Sequence, residues 1–266
     1  MHIVLVEDDE VIRETTQIAL ERFGYTVTGF EDGRDGYEFI ASQGADVVLL
    51  DLMLPTMNGA SITRAIRERS NVPIIVISAR SEPIDIVQAL EAGADDYLTK
   101  PFDMQVLNAR IRTVVRRFIT AESAQMGFSP QSEVPEEESS VSLDTQGIPE
   151  VLGPTPGHTN PTPRQQSSTE IRVENRLGTL VLDTARCMVY VNGEEIHLTP
   201  TELRILMLLT EEVGHVSSRE KIAYTVWGYE WGGDSRVVDV HIQRLRKKIG
   251  AAMIETVRGF GYRFCA

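Results

Sequence analysis

The stretch Asp46-Val-Val-Leu-Leu-Asp-Leu-Met-Leu-Pro-Thr-Met-Asn-Gly59 runs from an unbroken apolar segment into a carboxylate, Asp51, and then into a turn. Short apolar runs bounded by turn residues read as strands buried on both faces, the habit of parallel sheets. Four similar segments flank it, at 2–6, 25–30, 73–77 and 95–98. Helical spacing fills the gaps, as in Val11, Ile12, Thr15, Ile18, Ala19 and Arg22. A last helix from Asp103 to about Ile119 is expected to bury Val106, Leu107, Ile111 and Val114. Five βα units predict a parallel sheet covered by helices on both faces.

Ligands in such folds bind beyond the carboxyl ends of the strands. Glu7, Asp8, Asp51, Ser78 and Lys100 all fall there, drawn from four different strands. Magnesium favours oxygen ligands, and one or two carboxylates beside water and phosphate suffice to hold Mg2+. Asp8 and Asp51 would ligate directly, Glu7 directly or through water, and the Met53 carbonyl would complete the protein's share. Asp51 would also be the nucleophile that accepts a phosphoryl group. Lys100 offers a compact charge for phosphoryl oxygens, and Ser78 a hydroxyl for the group once it has arrived. A cis Lys100-Pro101 peptide would aim the lysine inward. Each residue alone is ordinary, since an Asp or Ser after a strand is usually a helix cap; the conjunction is what carries the reading.

At 266 residues the chain suits two domains. No apolar run approaches the roughly 18 residues of a membrane span. The acidic start Met-His-Ile-Val-Leu-Val-Glu-Asp-Asp does not resemble a signal peptide. A cytoplasmic protein with no membrane partner is expected. Cys187 and Cys265 lack the spacing of a zinc site or a disulfide framework. The net charge of −13 divides unevenly: −7 over 1–120, −7 over 121–170 and +1 over 171–266. The neutral C-terminal part can therefore carry a local basic face.

Residues 121–170 hold seven of the 12 prolines and the cluster Glu136-Glu137-Glu138. Without hydrophobic periodicity, this segment is expected to be a disordered acidic linker, spanning on the order of 40 Å as a flexible coil. It divides the chain into domains at 1–120 and 171–266. Charge complementarity raises the idea that it covers the basic face of the second domain before activation; a passive spacer is the plainer alternative.

After the linker, strands at 178–182 and 188–191 turn at Asn192-Gly193. A helix follows from the capping box Thr199-Pro-Thr-Glu202, and another from Ser217-Ser-Arg-Glu220. A third helix runs from about Ser235 to Ile249 and stops at Gly250. Final strands at 253–257 and 261–265 make a hairpin. Helices followed by a hairpin read as an α+β winged helix-turn-helix.

On the third helix, Val238, Ile242, Leu245 and Ile249 form the expected buried stripe. The opposite face presents Arg236, Val240, Gln243, Arg244 and Lys247, suited to a major groove. Arg244 and Gln243 would read base edges, Arg236 and Lys247 would hold phosphates, and Val240 would meet a thymine methyl. A solvated charged face is the bland alternative. Arg246, Lys248 and His241 lie toward the flanks, where packing, capping and DNA contact all remain open.

Residues 1–120 resemble a response-regulator receiver domain, a flavodoxin-like fold. Val-Glu-Asp-Asp, Asp-Leu-Met-Leu-Pro-x-Met-x-Gly, Ile-Ser-Ala-Arg and Gly-Ala-Asp-Asp-Tyr-Leu-Thr-Lys-Pro-Phe match its signatures in order. Residues 171–266 resemble the winged-helix effector of the OmpR/PhoB subfamily. The matching runs include Leu-Thr-Pro-Thr-Glu-Leu, Val-Val-Asp-Val-His-Ile-Gln-Arg-Leu-Arg-Lys-Lys-Ile and Thr-Val-Arg-Gly-Phe-Gly-Tyr-Arg-Phe.

The resemblance implies a phosphorylation-controlled transcription regulator of a two-component system, not an enzyme. Its partners would be a sensor histidine kinase, promoter DNA and a second copy of itself once phosphorylated. It also implies contact with RNA polymerase through the loop 227–234, where core packing of Trp227 and Tyr229 is the alternative. The resemblance also implies that Ser78 moves toward the phosphoryl group while Tyr97 turns inward, and that Arg258 in the wing meets DNA. It places a dimer face on the fourth helix, fifth strand and fifth helix. Asp96–Arg110 and Glu91–Arg112 would be intersubunit bridges, with Leu90 and Ala109 as apolar contacts. Ile86 and Val106 stand where the family usually pairs charges. An Ile86–Val106 contact between subunits would restrict pairing to self; packing within one subunit is the alternative.

Two other function classes compete with this reading. A haloacid-dehalogenase-like phosphatase would need a second Asp two positions after the nucleophile, where Met53 stands. A phosphorylation-independent DNA-binding regulator, with the receiver as a docking module, is disfavoured by the complete acidic and lysine set.

Overall fold

The computed structural model describes residues 1–125, 170–175, 178–228 and 236–265. In the N-terminal domain the chain alternates β1 (His2–Val6), α1 (Glu10–Arg22), β2 (Thr26–Phe30), α2 (Gly33–Gln43), β3 (Val47–Leu50), α3 (Gly59–Arg67), β4 (Ile74–Ser78), α4 (Pro83–Ala92), β5 (Asp96–Thr99) and α5 (Met104–Gln125). The five strands are parallel in the order β2-β1-β3-β4-β5. Their Val, Ile and Leu side chains are buried on both faces because helices cover each side. All five strands predicted from apolar runs are present within one residue of their expected bounds. Helix α5 passes the expected boundary at 120. Leu107, Ile111 and Val114 are buried on it, but Val106 is 42% exposed, so its predicted burial is corrected. It stands one position away from the buried stripe.

The C-terminal domain opens with an antiparallel sheet of β6 (Glu170–Asn175), β7 (Gly178–Asp183), β8 (Met188–Val191) and β9 (Glu194–Glu195). The β8–β9 turn is Asn192-Gly193, with φ of 52° and 85°; the second is a backbone conformation for which glycine pays no Cβ penalty. Then come α6 (Pro200–Glu211), β10 (Ser217–Ser218), α7 (Arg219–Trp227), α8 (Arg236–Ile249), β11 (Ile254–Val257) and β12 (Gly261–Phe264). The last two strands and β10 form a second sheet in the order β10-β12-β11. The capping box Thr199–Glu202 is formed as predicted. The second box is not the one expected. Ser218 caps α7 by accepting from the Lys221 amide, while Ser217 pairs with Tyr262 in the sheet. The sheet hydrogen bonds claim the first serine, leaving its neighbour to cap. Strands β6, β9 and β10 were not anticipated. Nearly all of the proposed linker, and Tyr229 with the rest of the loop to 234, lie outside the described residues.

One apolar cluster crosses between the domains. Ala89, Leu90, Ala94 and Tyr97 share it with Val237, Val240 and Ile242 of α8. Helix α4 lies along α8, and α5 touches α6 and α7. Burial of this continuous surface holds the two domains together, since apolar area removed from water contributes about 25 cal/mol per Å2.

Candidate functional site

The ends of β1, β3, β4 and β5 bring Glu7, Asp8, Asp51, Ser78 and Lys100 to one edge of the sheet. Ligand oxygens of Glu7, Asp8 and Asp51 all lie within 4.8 Å of one another. Glu7 and Asp51 are buried and Asp8 is exposed, so the cluster has a closed floor and an open mouth. Lys100 Nζ donates to Glu7 at 2.7 and 2.6 Å and to Asp51 Oδ2 at 2.6 Å. The Lys100-Pro101 peptide is cis. Asp51 Oδ1 accepts from the Met53 amide at 2.9 Å, fixing the carboxylate's rotation. Gly59 begins α3 against the Asp51 carbonyl, and a Cβ there would collide with that oxygen. The glycine in the opening motif therefore permits α3 to start beside the carboxylate.

Burial pushes the Glu7 carboxyl above its ordinary value, and Lys100 offsets only part of this. Burial works against the charge on Lys100 too, but the hydrogen bonds and charges of Asp51 and Glu7 outweigh it and raise that pKa. Three carboxylates facing one ammonium leave surplus negative charge. An all-oxygen set of this kind fits a hard divalent cation such as Mg2+. Ser78 is fully buried and its Oγ accepts from the Arg80 amide at 3.3 Å. Tyr97 is already turned inward, 5% exposed, with its hydroxyl donating to the Arg80 carbonyl at 2.6 Å. The inward tyrosine, expected to accompany phosphorylation, is thus present in this state. It belongs to the apolar cluster shared by the domains.

The predicted dimer face is covered differently. Arg110 donates to both oxygens of Asp96 of its own chain at 2.7 Å, so the pair expected between subunits is intramolecular here. Both groups are sequestered, and burial raises the Asp96 pKa despite the arginine. Leu90 is fully buried and Ile86 packs against the interdomain cluster. Val106, Glu91, Ala109 and Arg112 are exposed. The proposed Ile86–Val106 pairing is therefore split, one residue facing the C-terminal domain and the other solvent.

On α8 the predicted stripe Val238, Ile242, Leu245 and Ile249 is buried. Arg236, Gln243 and Lys247 are exposed, as is Arg258 in the wing. Val240 is instead 8% exposed and Arg244 is drawn inward. Arg244 donates to the carbonyls of Leu90 and Ala94, at 3.2 and 2.9 Å, and pairs with Glu202 at 3.0 Å. Leu90 lies in the last turn of α4 and Ala94 just beyond it, where the helix dipole favours a cation. A cleft of about 410 Å3 remains between the domains beside Arg64, Arg236, Arg244 and Lys247. The flanking residues resolve into structural roles. Arg246 donates to the Ile254 carbonyl and Thr256, Lys248 holds Glu202 and the His197 carbonyl, and His241 is fully buried. Trp227 packs in the core.

Comparison with known proteins agrees with this arrangement. The family of response regulator receiver domains matches residues 3–112, and that of the C-terminal domain of transcriptional regulatory proteins matches 193–264. The chain is 45% identical over 265 residues to the transcriptional regulatory protein CseB of Streptomyces avermitilis, covering 100% of this chain and 98% of CseB. It is 36% identical over 264 residues to the response regulator ArlR of Staphylococcus aureus, covering 98% of this chain and 97% of ArlR. A solved structure of a RitR mutant is similar in fold, with a TM-score of 0.64 at 21% identity over 99% of this chain and 98% of that one. The chain therefore belongs to the response regulators of the OmpR/PhoB type, two-component transcription regulators that join a receiver domain to a winged-helix DNA-binding domain.

Proposed function

We propose that Asp51 accepts a phosphoryl group from a sensor histidine kinase and that this modification governs DNA binding by α8 and receiver dimerisation. The observation that carries the reading is the three-carboxylate cluster with Lys100 Nζ bridging Glu7 and Asp51. A carboxylate oxygen of Asp51 attacks phosphorus, the P–N bond to the donor histidine breaks, and the electron pair stays on the imidazole nitrogen. Glu7, Asp8 and Asp51, with the Met53 carbonyl, would hold Mg2+. When bound, Mg2+ supplies positive charge to the phosphoryl oxygens and to the carboxylates that would otherwise repel them. Lys100 exchanges its bond to Asp51 for one to the phosphoryl group, and Ser78 donates its hydroxyl.

In the state described, Arg244 and Val240 are turned toward the receiver and Leu90 is covered. Parting the domains would free the base-reading residue together with Leu90 and Ile86 of the dimer face. Two linked winged helices then gain affinity through effective concentration. The chain would act as a cytoplasmic regulator rather than as an enzyme; among the described residues no helix is long and apolar enough to cross a membrane.

Intact-mass spectrometry with light scattering tests the reading on wild type and Asp51→Asn, using Mg2+ and acetyl phosphate. One added phosphoryl group and a monomer-to-dimer shift are expected in wild type, with complete loss of both in the variant. Absence of both in wild type would instead support a phosphorylation-independent DNA-binding regulator.

A further inference from the structure

Beneath α8, Arg67, Arg244 and Lys248 meet Asp95 and Glu202. This largely buried cluster, open to water at Lys248, holds one more cation than anion. His241 lies within it, 0% exposed. Its ring centroid is 5.5 Å from that of Trp227 on α7. Around it stand Asp95 from the segment before β5, Glu202 from α6 and Arg244 from its own helix, with Arg67 of α3 bound to Asp95. Neither ring nitrogen has a well-formed hydrogen bond among the described residues.

We propose that His241 is a proton-sensitive latch: closure of the receiver onto α8 requires its neutral form, and protonation releases the two domains. The receiver supplies the Asp95 side of the enclosure, so parting the domains returns that side of the ring to water. A second uncompensated positive charge beside Arg244 is costly only while the enclosure is shut. This concerns closure alone and does not depend on phosphoryl transfer at Asp51.

Burial first, and Arg244 second, hold the His241 pKa down to about 3 in the closed form. In the parted form it returns toward the ordinary 6.5. Above about 6.5 both forms are neutral and closure is undiminished; as pH falls below that value the parted form takes up a proton that the closed form refuses. Closure therefore weakens with acidification, with the open-to-closed ratio rising about tenfold between pH 7.5 and 5.5.

Small-angle X-ray scattering of the full unphosphorylated chain, without DNA, reads this at the two pH values. Wild type is expected to extend at pH 5.5, while His241→Leu keeps its pH 7.5 profile at both. Extension of the variant equal to wild type would assign the effect to carboxylates and overturn the proposal, as would an unchanged wild type. Should the variant fold poorly, imidazole NMR of wild type decides. A His241 resonance that titrates near 6.5 without any change in scattering overturns the latch; one that titrates only as the domains part supports it.

Discussion

The acidic pocket around Asp51 and the cluster beneath α8 are built from the same parts with opposite surplus. In the pocket, Glu7, Asp8 and Asp51 outnumber Lys100. Under α8, Arg67, Arg244 and Lys248 outnumber Asp95 and Glu202. The first is left two positive charges short, which one divalent ion can supply. The second has a cation to spare, which adds to burial in keeping a proton off His241. Surplus charge, more than the count of ion pairs, decides what each region can receive.

The largest effect should come from unbalancing the positive cluster. Glu202 is fully buried between Arg244 and Lys248, which hold its pKa low despite the burial. Removing its charge in Glu202→Gln strands two cations, and a loss of about 3 kcal/mol is expected in urea unfolding. A loss below about 1 kcal/mol would show that water already screens the cluster.

The acidic pocket should respond in the opposite sense. Lys100→Met removes its one compensating charge, and calorimetric Mg2+ affinity should rise about tenfold at low salt. Affinity that falls instead would mean the lysine organises the carboxylates rather than competing for them. Acidification should weaken Mg2+ binding as well. With its pKa raised in the free protein, Glu7 takes up protons from a higher pH than an ordinary carboxyl, and each proton must leave before the ion binds. Calorimetry at pH 7.5 and 5.5 should show the drop in wild type and a much smaller one in Glu7→Gln. The smallest expected change lies outside both clusters. Ser218→Ala should cost about 1 kcal/mol through the lost cap of α7, whereas Ser217→Ala should leave that cap intact; equal losses in thermal melts would contradict the assignment.

The residues of the acidic pocket were legible because each sits a fixed step beyond an apolar strand, and the strands fix their positions. The stripe on α8 was legible for the same reason, at helical period. What escaped was anything set by one domain touching the other. Val240 and Arg244 read as outward-facing because period reports the angle around a helix and not what lies opposite. Val237 belongs to the cluster shared by the domains, and His241 has Asp95 of the receiver beside it. The Asp96–Arg110 pair was foreseen as a pairing, but a charge complement cannot say whether its halves belong to one chain or two. Ser217 lost its predicted cap to a strand of two residues, too short to show alternation.

Arg246 ties the end of α8 to the Ile254 carbonyl and Thr256 of β11, and lies 5.5 Å from the Tyr262 ring centroid. Tyr262 donates in turn to Asp239 at 2.6 Å, near the start of the same helix. Helix and hairpin are thus riveted at two points along their length. They form a gauge whose prong spacing is set before any operator is met. Where an operator's grooves depart from that spacing, the duplex has to bend to the protein, and its stiffness becomes part of what is being measured.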